Sequence, residues 1–211
     1  MGWWSVSKRR PSTGKGQVIS ISPGPARHTD SLVVEWVRQI NSSPRAPFEG
    51  TELPRSLRSA EAGDSAGGET AWSILESGSI DWIASLEAQL PAPFPPSYRA
   101  LVTRFRFPAF EIPGMTLFGN APDAIDPGWY HPTAIFRDKD LSSDLLAHGL
   151  IQFGRDEFGG YDPVCFDTAR PDEYGEYPVV QVDHESILSR YQLEVTREIA
   201  PSFAGLLKAH L

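Results

Sequence analysis

The chain has 211 residues, 40% of them hydrophobic, with a formal net charge of -8; that is enough apolar material for a core and excludes a wholly disordered protein. No apolar run reaches the roughly 18 residues of a spanning helix, so no membrane is expected, and a single cysteine excludes an internal disulfide and cysteine-rich metal frameworks. Charge is unevenly spread: residues 1–30 hold five bases (Lys8, Arg9, Arg10, Lys15, Arg27) against Asp30, whereas residues 111–187 hold fifteen acids against four bases. A body this acidic repels phosphate backbones, so nucleic acid is not an expected partner of the main domain.

The amino-terminal segment has no apolar stretch after its positive charges, so no export signal is expected and the location expected is cytoplasmic. Its composition predicts a basic, flexible tail over residues 1–30, with QVISI at 17–21 as a short edge strand. Ser31 is placed to cap a helix through LVVEWVRQIN, with Leu32, Trp36 and Ile40 on one stripe. Residues 43–70, rich in Gly, Pro and Ser, predict a linker, so 31–70 is expected as a helix plus linker.

From 71 to 211 the pattern is that of one α+β domain. Ser79 is placed to cap IDWIASLEAQL, whose apolar face carries one polar intruder, Glu87. PAPFPP ends that helix, and Ser97 opens a second, YRALVTRF, with Tyr98, Leu101, Val102 and Phe105 inward. AFEI-PG-MTLF predicts a hairpin about a Pro-Gly turn. TAIF predicts a strand, and Ser142 or Ser143 caps a helix that Gly149 ends. LIQFG, PVCFDT and YPVVQVD predict three strands separated by turns. Two helices follow: SILSRYQ, with Asp183 as cap, and SFAGLLKAHL after a proline. Helices before and after an unbroken series of strands define an α+β pattern rather than alternating βαβ units.

Residue patterns with catalytic potential are weak. GDSAG at 63–67 has the spacing of a nucleophile elbow at Ser65, but no apolar strand delivers it, and it is expected to be linker. Cys165 sits within a strand pattern and predicts a buried, unreactive thiol. Asp183, His184 and Glu185 form the one local cluster of ligand-type residues; adjacent strand residues point to opposite faces, so a helix cap at Asp183 is preferred to a metal site. Asp123 with Asp126, and Asp138 with Asp140, lack flanking apolar residues that would split their pKa values, and Trp129-Tyr130 is either an exposed contact or a plug on the core. No catalytic residue, metal or cofactor is expected.

In order along residues 78–211, the segments I-D-W-I-x-x-L-E-x-x-L, P-P-S-Y-R-x-L, F-P-A-F-E-I, L-F-G-N, I-Q-F-G-R, Y-D-P-V-C-F-D, P-V-V-Q-V-D-H-E and S-F-x-x-L-L resemble the SUKH superfamily, in particular its bacterial Smi–Knr-like branch. The resemblance implies a bent, mostly antiparallel sheet flanked by helices, with Tyr98, Phe153, Val164, Phe166, Val180 and Val182 carrying the fold. It implies no enzyme. It implies an immunity protein that occludes a cognate, often nuclease, toxin; the alternative is a scaffold or regulatory module without a toxin partner.

Two loops between the predicted strands concentrate acids and aromatics. The first supplies Asp156, Glu157, Phe158 and Tyr161; the second supplies Asp172, Glu173, Tyr174, Glu176 and Tyr177. Tyrosine anchors and steering carboxylates on a rigid sheet suit a protein partner with a basic surface, such as a basic toxin domain, and these nine residues are the expected contact surface.

Overall fold

A computed structural model describes residues 25–42, 57, 72–77, 82–121, 131–136, 139–157 and 160–211. Helix α1 runs Pro25–Asn41, followed by the short strand β1 (Leu75–Glu76), α2 (Trp82–Glu87), α3 (Pro96–Arg104) and β2 (Phe105–Arg106). Next come β3 (Phe110–Ile112), β4 (Met115–Leu117), a 3-10 turn (Pro132–Phe136), α4 (Lys139–Ala147), β5 (Leu150–Arg155), β6 (Pro163–Asp167) and β7 (Val179–Val182). α5 (His184–Arg190), β8 (Val195–Ala200) and α6 (Phe203–Lys208) complete the chain. Among the described residues, β1 and β2 form a two-stranded pair, and β3 to β8 form a curled antiparallel sheet in sequential order. The fold is α+β, as the order of elements predicts.

The central strands consist of nearly continuous apolar residues because helices cover both faces. Ile151, Phe153, Val164, Phe166 and Val179 enter one core with α1, α3 and α6, while Leu150, Cys165, Val180 and Val182 enter a second with Leu141 and Leu145 of α4 and Ile187 of α5. Tyr98 sits at the centre of the larger core, its ring 5.0 Å from Phe94, 5.4 Å from Phe153, 5.1 Å from Phe166 and 5.3 Å from Phe203. Phe153 and Phe166 stack in parallel at 3.8 Å across neighbouring strands. Such aromatic pairs add about 0.5–1.5 kcal/mol each beyond the area they bury.

α1 begins six residues before its expected Ser31 cap. Proline is well placed at a first helical position, where its fixed φ suits the helix and its missing N–H has no intrahelical role. Leu32, Val33, Trp36, Val37 and Ile40 of this helix are buried in the main core, as is Leu57 from the expected linker. α3 likewise begins at Pro96 rather than being capped by Ser97, with Pro95 at its N-cap. The polar intruder Glu87 has a structural task. Its carboxylate accepts from the Phe94 amide at 3.1 Å and pairs with Arg99 at 3.1 Å, tying the Pro-rich connection to α2 and α3.

The AFEI-PG-MTLF hairpin forms as expected, with Ile112 opposite Met115. Gly114 has φ +94°, the left-handed backbone that the third residue of a type II turn needs, and Pro113 pre-sets the residue before it. Glu157 accepts a hydrogen bond from the Gly114 amide, and Arg197 of β8 donates to the Gly114 carbonyl at 2.9 Å. The β3–β4 turn therefore meets β8, the strand at the far edge of the sheet.

Further elements differ from expectation: β1 was not expected, and β2 begins at Phe105, inside the expected helix YRALVTRF. TAIF is part of the 3-10 turn Pro132–Phe136, not a strand. β8 was not expected because VTREIA offers little apolar alternation; it is an edge strand with Val195 to Glu198 exposed. QVISI, the Ser79 cap and the 43–70 linker apart from Leu57 lie outside the described residues.

Candidate functional site

The sheet topology separates the two acidic loops. β6 runs between them, with residues 156–162 at its start and 168–178 at its end. Its five residues, at about 3.3 Å each, place the loops on the order of 17 Å apart at opposite ends of the sheet. The nine expected contact residues therefore do not make one surface.

The 168–178 loop is folded onto the protein. Asp172 Oδ1 accepts from the amides of Tyr174 at 2.8 Å and Glu176 at 2.9 Å, closing a tight turn. Glu176 is only 5% exposed. Its carboxylate accepts from the Ser97 amide at 2.7 Å, the Ser97 hydroxyl at 2.6 Å and the Ala204 amide at 3.3 Å. One buried carboxylate thus satisfies free amides in the first turns of both α3 and α6, where helix dipoles also favour negative charge. Tyr177 is 7% exposed and packs in the main core, with its phenol pushed up first by burial and then by the Glu176 charge. Glu176 and Tyr177 are therefore structural residues, which corrects their expected place at a contact surface. Asp172, Glu173 and Tyr174 remain exposed; Tyr174 is 61% exposed, and its phenol is pushed up, chiefly by hydrogen bonding to Glu173.

At the other end, the 156–162 loop meets the start of α5. Asp183 caps that helix as expected, its Oδ1 accepting from the Glu185 amide at 2.9 Å and its Oδ2 from the Ser186 hydroxyl at 2.7 Å. Hydrogen bonding to Ser186 is the main reason its carboxyl lies below the usual range. Asp162 accepts from His184 twice, from Nδ1 at 2.7 Å and from the amide at 3.1 Å, and from Gln181 at 3.0 Å. Burial pushes the Asp162 carboxyl up, but these bonds together outweigh it and hold it low. The ionised carboxylate can only accept, so the His184 proton sits on Nδ1.

Asp156 is half-buried beside them. Its amide donates to the Asp162 carbonyl at 3.0 Å, and burial followed by the charge of Asp162 pushes its carboxyl up. Glu157 is half-buried and held by the Gly114 amide. Tyr161 is 68% exposed, with His184 5.8 Å from its ring and the Arg155 guanidinium 5.7 Å from it on a cation–π contact. Phe158 lies outside the described residues, as do Ser65, Asp123, Asp126, Asp138 and Trp129-Tyr130.

The structure thus gathers Asp156 and Tyr161 with Asp162, Asp183 and His184, while the Glu157 carboxylate is held at the β3–β4 turn. Asp162 escaped the sequence reading because it stands 21 residues before Asp183; only the antiparallel pairing of β6 with β7 unites them. Its one local signal is its place next to Pro163, at the mouth of a strand. Among the described residues, Asp162, Asp183 and His184 are also the group with metal-ligand chemistry, each offering a donor atom within 4.8 Å of the others. Cys165, by contrast, is fully buried in the smaller core, and burial pushes its thiol far up, so it offers no nucleophile in the folded protein. Compared with protein-family models the chain matches none, and no curated protein matches it. No helix among the described residues is long and apolar enough to cross a membrane.

Proposed function

We propose that this chain is a non-enzymatic, SUKH-like protein-binding module, and that it acts as an immunity protein occluding a basic, nuclease-type toxin domain. The observation that carries the reading is Tyr161, exposed among Asp156, Asp162 and Asp183 at one end of a sheet packed on both faces. A large aromatic with few rotatable bonds is a favourable anchor, and carboxylates around it steer a basic cleft into place. Support also comes from the sequence resemblance and from the order of helices around a curled antiparallel sheet. The occluding step is stoichiometric: the acidic end fills the cleft that a nuclease uses for phosphates.

A second reading, a scaffold, is favoured by the separation of the two loops. A second exposed tyrosine, Tyr174, with Asp172 and Glu173, stands at the opposite end of β6 and could engage a different partner.

Co-expression tests the first reading. A toxin gene is expected beside this one, and the chain should protect cells from it and form a one-to-one complex with its product on size exclusion. Failure to protect, or the absence of such a neighbour, overturns the immunity role.

A further inference from the structure

We infer that Tyr191, with Leu188 and Val195, is a second anchor for the basic protein partner proposed for the Tyr161 end of the sheet. The inference rests on that reading and extends its contact surface along α5.

The backbone at Tyr191 is the first observation. α5 ends in a Schellman turn: the Tyr191 amide donates to the Ile187 carbonyl at 3.1 Å, and the Gln192 amide donates to the Ser186 carbonyl at 3.1 Å. That turn needs left-handed backbone at position 191, where φ is 52° and ψ is 39°. Glycine usually fills such a position, because a Cβ there is crowded by the following carbonyl oxygen. Tyr191 is the one non-glycine residue with positive φ among the described residues. Its ring does not serve the turn. The side chain is 87% exposed, and the apolar residue that ties this turn to the smaller core is Leu193. A strained, bulky side chain that the fold could replace with glycine points to a use outside the fold.

Tyr191 has apolar company. Leu188, 48% exposed, precedes it by three residues, the spacing that puts two side chains on one stripe of a helix. Val195, 45% exposed, opens β8 opposite Val182. The Asp183 amide donates to the Glu194 carbonyl at 2.9 Å, so the two ends of the excursion from β7 through α5 to β8 meet. α5 has seven residues. At about 1.5 Å each, Tyr191 stands on the order of 10 Å along the helix from His184. The His184 ring is in turn 5.8 Å from that of Tyr161. Both tyrosines therefore fit inside one interface of ordinary size, about 800 Å² on each partner.

Charge selects the occupant. Glu185 and Glu194 are exposed and have no cation partner among the described residues. The neighbouring arginines are engaged: Arg190 lies 3.8 Å from Asp183, and Arg197 donates to Gln181 and Gly114. An apolar patch beside free carboxylates fits an apolar pocket rimmed by lysine or arginine, as on a basic toxin domain. A second copy of this acidic chain would set like charges together.

The test uses the full chain and the toxin domain encoded beside it. Tyr191→Gly should raise the unfolding temperature by roughly 2–4 °C, because the strain is relieved, yet weaken the complex by about tenfold through faster dissociation. That loss should persist at high salt, as expected of an apolar contact. Tyr191→Phe keeps ring and strain and should match wild type in both measurements. Leu188→Gln should weaken binding while leaving the unfolding temperature nearly unchanged. If Tyr191→Gly binds as wild type does while Tyr161→Ala does not, the second anchor is overturned and the immunity reading stands. A lower unfolding temperature for Tyr191→Gly also overturns it, because the ring would then serve the fold. If the wild-type chain forms no complex, the immunity reading fails and this inference falls with it.

Discussion

The loops at the two ends of β6 each carry three acids and two aromatics, and they have opposite fates. In the 168–178 loop, a glutamate turns inward and joins the first turns of α3 and α6 through three hydrogen bonds. In the 156–162 loop, an aspartate is brought against another aspartate, with one oxygen left without a donor. The lesson is that an acid-rich loop is not a function in itself. Whether a carboxylate finds amide donors decides whether it holds the fold together or remains charged for something else.

The sharpest way to break the comparison is Glu176→Ala. It leaves two amides and a hydroxyl without their acceptor in a buried setting, a loss of about 3 kcal/mol or more. The unfolding temperature should fall by roughly 6–12 °C for a protein of this size, measured by thermal denaturation; a fall under a degree or two would show that Glu176 is not a shared helix cap. Asp172→Ala, which removes only the acceptor of two turn amides, should cost about 1 kcal/mol, read from the urea midpoint.

A control on the core lies between these in size. Cys165→Ser places a hydroxyl in an apolar cluster and should cost about 1–3 kcal/mol, whereas the native thiol should resist labelling until the protein unfolds. Rapid labelling under native conditions would refute its burial.

Asp156 and Asp162 should respond to pH with opposite sign. The folded carboxyl of Asp162 lies below its unfolded value, so the stability it gives is present above about pH 4 and is lost as pH falls through the folded pKa. That of Asp156 is raised, so its charge works against folding above the raised value, and the penalty disappears as pH falls. Asp156→Asn should therefore be slightly more stable than wild type at neutral pH, by less than about 1 kcal/mol because the group is partly solvated. The two should converge near pH 4, about the unfolded value. Urea midpoints across pH 3–7 check the sign. Equal stability throughout would remove Asp156 from the contrast.

The smallest effect on stability, and the largest expected on binding, belongs to the tyrosines. Tyr161→Ala and Tyr174→Ala should each change the unfolding free energy by less than about 0.5 kcal/mol. If the immunity reading holds, only Tyr161→Ala should raise the dissociation rate from the toxin domain, and Asp156→Lys should slow association most at low salt. Equal effects at Tyr161 and Tyr174 would favour a partner that spans both ends of β6.

The fold was legible where local chemistry and tertiary position agree. The hairpin turn carries its own Pro-Gly signature, and β5, β6 and β7 are nearly continuous apolar runs because both their faces are covered. β8 was illegible because an exposed edge strand needs few apolar residues, and TAIF misled because a short apolar run after proline suits a tight turn as well as a strand. Of the expected contact residues, Asp156 and Tyr161 come together beside Asp162 and His184, whereas Glu157 is held at the β3–β4 turn. Glu176 and Tyr177 could not be told from their neighbours, since the partner that buries Glu176, Ser97, lies 79 residues away. The joining of Asp162 to His184 was hidden for the same reason: pairing between strands, not spacing in sequence, creates it.

The hold that Glu157 and Arg197 have on Gly114 bears on how this protein avoids aggregation. An open sheet presents two edges able to recruit a foreign strand. Here the turn of the first hairpin is tied to the last strand by the Arg197 hydrogen bond, with Ile199 placed where a side chain at position 114 would touch it, and the sheet is kept curled. β8 is further distorted by register shifts along its pairing with β7. A curved, irregular edge is a poor template for a flat incoming strand, so loosening the turn with Arg197→Ala should speed fibril or amorphous aggregate formation before it greatly lowers stability.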